Sequence, residues 1–401
     1  ESMSMSEDSS PPQGVAVAHW GEHVNGGGDR VGWELSRVFD STPLYVGWQN
    51  KSIEPQDIET KQLINGRLNE WALERGGIAR MAAHMLGWQV AEPLRDYDVL
   101  VTSGNEPLFY VPPTEQVWVA YIHHTNRRQS DQIHEVHNGR LVPLKLLSYY
   151  GIRVAFDHNT HKPDLFLANS EQVKRRIVRY WGVSEEKIDV VYPPVNTGAY
   201  SPDDAETDDY YLTLSRLDWH KSVDDIVRAF SDLDARLVVA GDGPERDNLE
   251  RIAGENVEFA GYVSEEKKKK LLAGAKAFIF NGQDEDFGIS PVEALAAGTP
   301  LLGVKEGMTQ YQVVDGKTGY TFERDESGRT IRTAVQQFGD DDVGWDASEI
   351  ASFADRFSVQ AFHHRMREAV DRAVDNADVT PDWYSEFEDM SSNPEQGFTE
   401  N

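Results

Sequence analysis

Short apolar runs alternate along the chain with segments whose apolar residues recur every three to four positions. Continuous runs such as 117–122 and 277–280 suit buried strands, whereas the spacing in 30–39 and 78–88 is typical of amphipathic helices. This alternation predicts an α/β fold with parallel, doubly wound sheets. The remaining predicted elements are strands at 14–18, 97–102, 164–168, 188–192, 210–215, 236–240 and 257–260, and helices at 62–73, 171–181, 223–230, 245–252, 265–273 and 363–375.

The alternation is interrupted at Pro193 and Pro194, which are followed by an acidic stretch at 201–209. Because proline cannot donate to a strand ladder and stiffens a connection, we place a domain boundary there. The predicted parts are a disordered N-terminal lead at 1–13, an N-terminal domain at 14–195, a C-terminal domain at 196–360, C-terminal helices at 361–386 and an acidic flexible tail at 387–401.

Acidic residues exceed basic ones along the whole chain. Among its 401 residues are 68 Asp and Glu and 39 Lys and Arg, which give a formal net charge of −29, and cysteine is absent. The mean field of such a surface repels phosphate, so nucleic acid is not an expected partner. Molar salt screens like charges beyond about 3 Å, and we therefore interpret the chain as a protein from a halophile. An ordinary acidic cytosolic enzyme is the alternative.

No apolar run is long enough to span a membrane, and the first residues lack the basic and apolar regions of a signal peptide. We therefore expect a cytoplasmic location. The helix at 173–181 is basic, with Lys174, Arg175, Arg176 and Arg179, and could rest on an anionic membrane surface. A solvated helix face is the alternative there, and it is also our prediction for Lys267–Lys270.

The stretch 284–298, DEDFGISPVEALAAG, follows a predicted strand and carries two glutamates, Glu285 and Glu293. Ser290 is the predicted N-cap of the next helix and Pro291 its first residue. Ligands usually bind beyond the carboxyl ends of strands in such sheets. Two carboxylates there could accept hydroxyls of a sugar or ribose.

Plainer explanations of this stretch remain open. Ser290 and Glu293 fit a capping box, in which the glutamate reaches back to the N-cap N–H. Glu285 could be one more surface acid. Asp284 and Asp286 resemble the D-x-D of metal-dependent sugar-nucleotide enzymes, but one carboxylate pair is a poor metal site without further ligands, and we predict no metal.

Three other loops carry candidate binding residues. Glycines at 26–28 follow a strand and precede a helix, so their backbone could approach a phosphate, or they could form a plain turn. His123-His124-Thr-Asn-Arg127-Arg128 follows another strand and could meet a substrate, or form a basic turn. Arg216 and Lys221 could hold a diphosphate, or pair with nearby aspartates.

Four stretches resemble the retaining glycosyltransferases of family 4, or glycosyl transferases group 1, which have the GT-B fold. They are DLFLANSEQVKRRIVRYWGVSEEKIDVVYPPVNTGAYSP at 164–202, LSRLDWHKSVDDIVRAF at 214–230, LVVAGDGPERDNLE at 237–250 and EDFGISPVEALAAGTP at 285–300. YIHHTNRR at 121–128 also resembles a subgroup that builds lipid-linked or surface glycans, although Thr125 replaces the usual proline. The family's paired glycine before Glu-Val-Val is likewise replaced, by Gly307-Met-Thr-Gln-Tyr-Gln-Val-Val.

The resemblance implies two Rossmann-like domains that face each other across a cleft. It implies a donor site in which Arg216 and Lys221 hold the diphosphate and Glu293 holds the ribose. The donor sugar would be contacted by Glu285 with Phe287, Gly288, Ile289 and Ser290. In the first domain, the resemblance implies that Gly27 and Gly28 approach the diphosphate or acceptor, that His123 lies beside the reacting sugar, and that His124 and Arg127 bind the acceptor.

By the same resemblance, the implied catalytic residues are Glu285, His123, Arg216 and Lys221. They would transfer a hexose with retention from a UDP- or GDP-linked sugar to a hydroxyl of a lipid-linked or surface glycan, without a metal or cofactor. Peripheral contact with the inner membrane face would accompany such an acceptor. Two alternatives remain, a sugar-nucleotide 2-epimerase on this scaffold and a non-catalytic nucleotide-sugar binding protein.

Overall fold

The computed structural model describes residues 14–21, 27–40, 42–49, 57–64, 77–125, 159–160, 162–206, 208–340 and 344–375, with positions 55, 66, 67, 151 and 154. The chain divides into two compact units. Unit 1 comprises the described residues within Glu1–Ala168, Val173–Asp189 and Met366–Val379, and unit 2 those within Asn169–Gln172 and Val190–Arg365. The predicted lead 1–13, the tail 387–401 and Arg127 lie outside the described residues.

Unit 1 is built on a seven-stranded sheet of order β3-β2-β1-β4-β5-β6-β7, and its pairs from β3 to β6 are parallel. The strands are β1 (Val15–His19), β2 (Leu44–Val46), β3 (Thr60–Gln62), β4 (Val99–Ser103), β5 (Val117–Ile122), β6 (Leu165–Ala168) and β7 (Ile188–Val190). Its helices include α1 (Gly27–Val38), α2 (Gly77–Gln89) and α3 (Glu171–Arg176), which continues as a π-helical turn to Trp181.

Unit 2 is built on a six-stranded parallel sheet of order β10-β9-β8-β11-β12-β13. The strands are β8 (Tyr211–Leu214), β9 (Leu237–Ala240), β10 (Val257–Gly261), β11 (Ala277–Phe280), β12 (Leu301–Val304) and β13 (Gly319–Phe322). The helices are α4 (Val223–Ser231), α5 (Arg246–Ile252), α6 (Glu265–Gly274), α7 (Ile289–Ala296), α8 (Arg329–Asp340), α9 (Ala347–Ala354) and the start of α10 (Val359–Asp375).

In each sheet the strand order reverses once, between β1 and β4 in unit 1 and between β8 and β11 in unit 2. Connections leave the two strands at such a point in opposite directions, which opens a crevice at their carboxyl ends. The prediction of doubly wound, parallel α/β units is therefore confirmed. Apolar strands are buried as predicted: all four residues of β11 and five of the six in β5 are buried.

Several predicted elements differ in position or kind. The helix predicted at 62–73 starts too early, because Gln62 ends strand β3, a strand too short and too polar to be recognised. Positions 66 and 67 are helical, and the rest of that prediction, 68–73, lies outside the described residues. Helix α1 begins at Gly27, three residues before the predicted start. Strands β2, β12 and β13 and helices α8 and α9 were not predicted.

Two basic stretches are less exposed than predicted. In the helix at 171–181, Lys174 and Arg176 are buried, and only Arg175 and Arg179 of its cations are exposed. Lys268, inside the predicted solvated lysine run, is also buried. The solvated-face prediction is therefore wrong for these three side chains.

The last helix is shared between the units, since its residues from Met366 onward pack in unit 1. There Arg367 Nε donates to the carbonyl of Val38 at 3.0 Å, and Arg372 pairs with the buried Asp189. None of the described helices combines the length and the low polarity that crossing a lipid bilayer requires.

We predict that Gly319 tolerates alanine far less than Gly316 does. Both have positive φ, which costs an alanine about 1–2 kcal/mol. A Cβ at Gly319 would also lie 1.8 Å from the carbonyl oxygen of Leu301, whereas one at Gly316 meets nothing within 4 Å. Chemical denaturation should show a loss above about 3 kcal/mol for Gly319→Ala and close to the φ cost for Gly316→Ala. Equal losses would contradict the packing explanation.

Candidate functional site

The crevice of unit 2 brings together a lysine and a glutamate from the two loops that flank it. Lys221 lies in the loop after β8 and Glu285 in the loop after β11, and Lys221 Nζ donates to Glu285 Oε2 at 2.5 Å. Both side chains are partly exposed, at 24% and 22%. Partial exposure leaves this ion pair accessible to a ligand that enters at the carboxyl ends of the strands.

Arg216 lies in the same loop as Lys221 but has a different environment. Its side chain is 74% exposed and lies 4.0 Å from the carboxylate of Asp218. Surface pairs of this kind hold a side chain weakly. The guanidinium can therefore turn towards an anion without breaking a buried interaction.

The turn after β9 braces the backbone around Arg216. A Cβ at Gly241 would lie 1.9 Å from the carbonyl oxygen of Ser215, and one at Gly243 would lie 2.3 Å from that of Leu217. Leu217 N–H donates to Asp242 at 3.0 Å, and Glu245 N–H donates back to Leu217 at 3.0 Å. The glycines of the GDGP sequence thus allow two loops to touch through their backbones.

Arg324 ties the Glu285 loop to its neighbours. Its guanidinium donates to the carbonyls of Asn281 and Gly282, both at 3.1 Å, and to Glu306 at 2.7 Å. It also reaches Ser222 Oγ at 3.3 Å. A planar guanidinium can serve several acceptors at once, so one side chain holds the ends of three loops.

Further contacts place Glu285 itself. Met308 N–H donates to the carbonyl of Glu285 at 2.9 Å. A Cβ at Gly307 would lie 2.4 Å from the nitrogen of Glu285, so only glycine fits beside it. Ser170 Oγ donates to the carbonyl of Asp286 at 2.5 Å, and Gln172 donates to Asp284 at 2.6 Å.

Helix α7 begins earlier than predicted. Its N-cap is Gly288, with φ +80°, and no side chain caps it, so the prediction of Ser290 as N-cap is wrong. Ile289 and Ser290 occupy its first turn, where backbone N–H groups lack helical partners and favour an anion. The positive φ explains why glycine, with no Cβ to clash, replaces a polar cap.

Phe287 has its ring in the core of unit 2. It is 4% exposed and packs on Tyr192 and Phe357, with ring centroids 5.8 and 5.7 Å away. The carbonyls of Phe287 and Gly288 accept hydrogen bonds from Gln312 Nε2, at 2.7 and 3.1 Å. Only the backbone of Phe287 is thus available to a ligand. Gln312 therefore supports this loop through two hydrogen bonds that it donates.

Glu293 lies inside α7 and is 5% exposed. Its Oε1 accepts hydrogen bonds from Tyr200 Oη and Lys268 Nζ, each at 2.7 Å. The carboxylate therefore does not reach back to the helix start, and the capping-box alternative is wrong. Its partners come from two distant parts of the sequence.

The crevice of unit 1 contains a second cluster around a cavity of about 240 Å³. Gly28, in the first turn of α1, contributes to its wall, as do the candidate residues His123 and His124. Gly104 has φ +102°, and a Cβ there would lie 2.7 Å from the Trp20 ring. The full lining is Trp20, Gly28, Gly104, Asn105, Glu106, His123 and His124.

His123 is held in a neutral form. Burial, with His19 and His124 nearby, lowers the pKa of His123 well below its usual value. Its Nε2 is 2.8 Å from Ser103 Oγ, at the end of β4. Burial also lowers the pKa of the adjacent His19, although Asp29 opposes this shift. Near pH 7, His123 can therefore exchange hydrogen bonds but carries no charge.

Two family profiles match the chain in succession. One, described as Glycosyltransferase Family 4, matches residues 59–199, and the other, described as Glycosyl transferases group 1, matches residues 201–347. The chain belongs to the glycosyltransferases. Its two parallel-sheet units and the solved structures below confirm the GT-B fold that the sequence predicts.

Relatives of this glycosyltransferase match only part of it. A D-inositol 3-phosphate glycosyltransferase of Streptomyces avermitilis is 25% identical over 250 residues, 51% of this chain and 53% of the relative. A GDP-mannose-dependent alpha-(1-6)-phosphatidylinositol dimannoside mannosyltransferase of Mycobacterium tuberculosis is 44% identical over 72 residues, 18% and 19% of the two chains. The chain spans about half the length of the curated relatives that it matches.

Solved structures share the fold over most of the glycosyltransferase. HepE from Anabaena, in complex with UDP and glucose, superposes with a TM-score of 0.67 at 18% identity. The match covers 90% of this chain and 100% of HepE. At this identity the likeness shows the fold alone.

Sequence reasoning missed several residues that the structure brings to these crevices. Trp20 directly follows strand β1, and this position could have marked it as a candidate binding residue. Tyr200, Lys268 and Arg324 lie far in sequence from the residues that they contact, and no local pattern marks them. Among the described residues, no cluster of three or more His, Asp or Glu side chains is arranged to hold a metal ion.

A cavity of about 390 Å³ in unit 2 lies beside the Lys221 loop and is lined by Asp218, Trp219 and Asp225 among others. Asp225 is 4% exposed and accepts hydrogen bonds from Asn281 at 3.2 Å and Arg228 at 3.0 Å. Burial, reinforced by Asp224, raises the pKa of Asp225 from 3.8 to about 6. A carboxyl group of this kind stabilises the fold when it is neutral.

We predict that Asp225→Asn makes the free energy of unfolding depend less on pH between pH 4 and 7. The contribution of Asp225 is fully present below about pH 4 and is lost as the pH rises through about 6, which amounts to about 3 kcal/mol. Relative to wild type, the variant should therefore gain stability between pH 4 and 7. Urea denaturation at both pH values measures this, with Asp234→Asn, at an exposed position of the same unit, as the control. A pH-independent difference would contradict the shifted pKa.

Proposed function

We propose that the protein is a retaining hexosyltransferase that moves a hexose from a nucleoside diphosphate sugar to a hydroxyl of a glycan. The observation that carries the proposal is the Lys221–Glu285 pair at the point where the strand order of unit 2 reverses. A cation for a diphosphate and a carboxylate for sugar hydroxyls stand there within 2.5 Å of each other.

The diphosphate is assigned to Arg216, Lys221 and the start of α7. Lys221 supplies a point charge and the exposed Arg216 a two-pronged donor. The N–H groups of Ile289 and Ser290 add the positive end of a helix. Because negative charge grows on the leaving phosphate as the glycosidic bond breaks, such fixed donors stabilise the transition state. No metal ion or cofactor is part of the proposal.

The donor sugar is assigned to Glu285 and the backbone of 287–290, and the ribose to Glu293. A carboxylate accepts hydrogen bonds from hydroxyls and cannot donate, which matches polyhydroxylated ligands. The contacts of Arg324, Gln312 and Gly307 hold this loop in place before a donor arrives.

The acceptor is assigned to the cavity of unit 1. Trp20 offers an aromatic face on which a sugar ring can pack, and His124 and Glu106 offer polar edges. His123, neutral near pH 7, is assigned to hydrogen bonding with a hydroxyl beside the reacting carbon. Gly27 and Gly28 place amide groups at the start of α1 beside it, and Arg127 stays a prediction.

The chemical step exchanges one bond for another at the anomeric carbon. The bond from that carbon to the β-phosphate oxygen breaks, and a bond from the acceptor oxygen to the same face forms. The acceptor proton passes to an oxygen of the departing phosphate, so no protein base is required. The anomeric configuration is thereby kept, and the products are a glycoside and a nucleoside diphosphate.

A UDP- or GDP-linked donor is proposed because the relatives point to both. One curated relative is named as GDP-mannose-dependent, and HepE was solved with UDP and glucose. Another relative is an O-antigen chain mannosyltransferase of Salmonella typhimurium, which supports a surface or lipid-linked glycan as acceptor. A cytoplasmic enzyme in peripheral contact with the membrane fits that substrate.

The experiment that tests the function measures release of nucleoside diphosphate from UDP- and GDP-hexoses with glycan acceptors, with EDTA present. Release should require an acceptor. Lys221→Met should lower turnover at least about 100-fold and Glu285→Gln should abolish it, whereas Glu323→Gln, at an exposed acid, should not change it. Release that requires no acceptor would favour an epimerase. Donor binding without turnover would leave a binding protein.

We also propose a halophilic origin, which the net charge of −29 supports. Screening by salt removes the self-repulsion of an acidic surface. The melting temperature should therefore rise by more than about 10 °C between 0.1 M and 3 M KCl, because each kcal/mol shifts a melting temperature by several degrees. An unchanged melting temperature, measured by circular dichroism, would rule this out.

A further inference from the structure

The buried surroundings of Glu293 contain a second charged group that none of the assignments above uses. Lys268, on α6, is 8% exposed, and its Nζ lies 2.7 Å from Glu293 Oε1 and 3.0 Å from Glu265. Its immediate neighbours Lys267 and Lys269 and the following Lys270 are less buried. Of the four consecutive lysines, Lys268 is therefore the one that the fold buries.

We infer that Lys268 and Tyr200 are positioning residues, which hold the Glu293 carboxylate oriented towards the ribose of the donor. This inference rests on the proposed function. It adds two residues to the donor site and explains how the Glu293 carboxylate is held in place for the ribose.

The two carboxylate oxygens of Glu293 have different partners: Oε1 accepts from protein donors, and Oε2 is left for the ribose. Tyr200 Oη and Lys268 Nζ both donate to Oε1, each at 2.7 Å. The ammonium also lies 5.7 Å from the centre of the Tyr200 ring, so the two donors support each other. Within the described part of the chain, no donor contacts Oε2. That oxygen keeps its acceptor sites for the two hydroxyls of a ribose.

Stability alone does not account for a buried lysine at this place. Removing two charges from water costs about as much as their attraction returns, so buried ion pairs give little net stability. A buried carboxylate without partners in the same place would be costly. The lysine and the tyrosine therefore fix the position of the Glu293 carboxylate, and this is the role that we assign to them.

The test compares binding of UDP and GDP with binding of their 2′,3′-dideoxy forms, by calorimetry of the full chain in molar KCl. For wild type, loss of the ribose hydroxyls should weaken binding about tenfold or more. Lys268→Met should weaken binding of the normal nucleotide by a similar factor and leave binding of the dideoxy form unchanged. Lys270→Met, on an exposed part of the same helix, is the matched control and should bind both forms as wild type does.

Two milder variants keep the test decisive if Lys268→Met does not fold, which circular dichroism would show. Tyr200→Phe removes one hydroxyl and should give a smaller loss, again only with the normal nucleotide. Lys268→Arg retains the charge and should recover most of the affinity.

Four results would overturn the inference. Equal weakening of both nucleotide forms would make the role of Lys268 merely structural. Unchanged binding in Lys268→Met and Tyr200→Phe would remove it altogether. Wild type that binds both forms equally would show that Glu293 does not hold the ribose, while the proposed function survives. Wild type that binds neither UDP nor GDP would instead refute the proposed donor site together with the inference.

Discussion

The reversal of strand order in each parallel sheet is the constraint on which both candidate sites depend. Parallel strands place all their carboxyl ends at one edge, and the reversal keeps the connections from covering that edge. In unit 2 the loops after β8 and β11 therefore meet, and Lys221 contacts Glu285 because these two strands are neighbours. In unit 1 the same reversal brings the residues after β1 and β4 to one cavity, whose wall includes Trp20 and Gly104. In each unit this topology creates the crevice, and the side chains of the adjoining loops supply its chemical groups.

Long loops at such an edge have carbonyl groups that no strand or helix satisfies, and a few side chains take over this task. Arg324 binds the carbonyls of Asn281 and Gly282, and Gln312 binds those of Phe287 and Gly288. Asn256, at the other end of the sheet, binds three carbonyls between β9 and α4, at 2.7–3.1 Å. A buried carbonyl without a partner costs about 1–3 kcal/mol. Arg324 and Gln312 therefore keep the irregular backbone around the crevice in one conformation, and Asn256 does the same for the turn that precedes β9.

The sequence was sufficient for the fold and for the residues that follow apolar strands, because burial and periodicity are local signals. Glu285 and Lys221 could be recognised in this way. Glycine at the start of α7 could not, since a polar cap at Ser290 was an equally good local solution and only the positive φ of Gly288 decides between them. The burial of Lys268 could not be predicted either. Four consecutive lysines show no periodicity that marks one of them as buried, and the partner, Glu293, is 25 positions away. Contacts between distant segments determine which of several equivalent residues has a role.

The packing of Gly307 against Glu285 has a consequence for engineering the crevice of unit 2. The segment after β12 touches the backbone of the Glu285 loop so closely that neither can be replaced without its counterpart. Exchanging the 282–290 loop alone with that of a relative would leave a mismatched surface at 307–312. Variants made by recombination should therefore inherit both segments from one parent, even though the 16 residues between them, 291–306, could come from either parent.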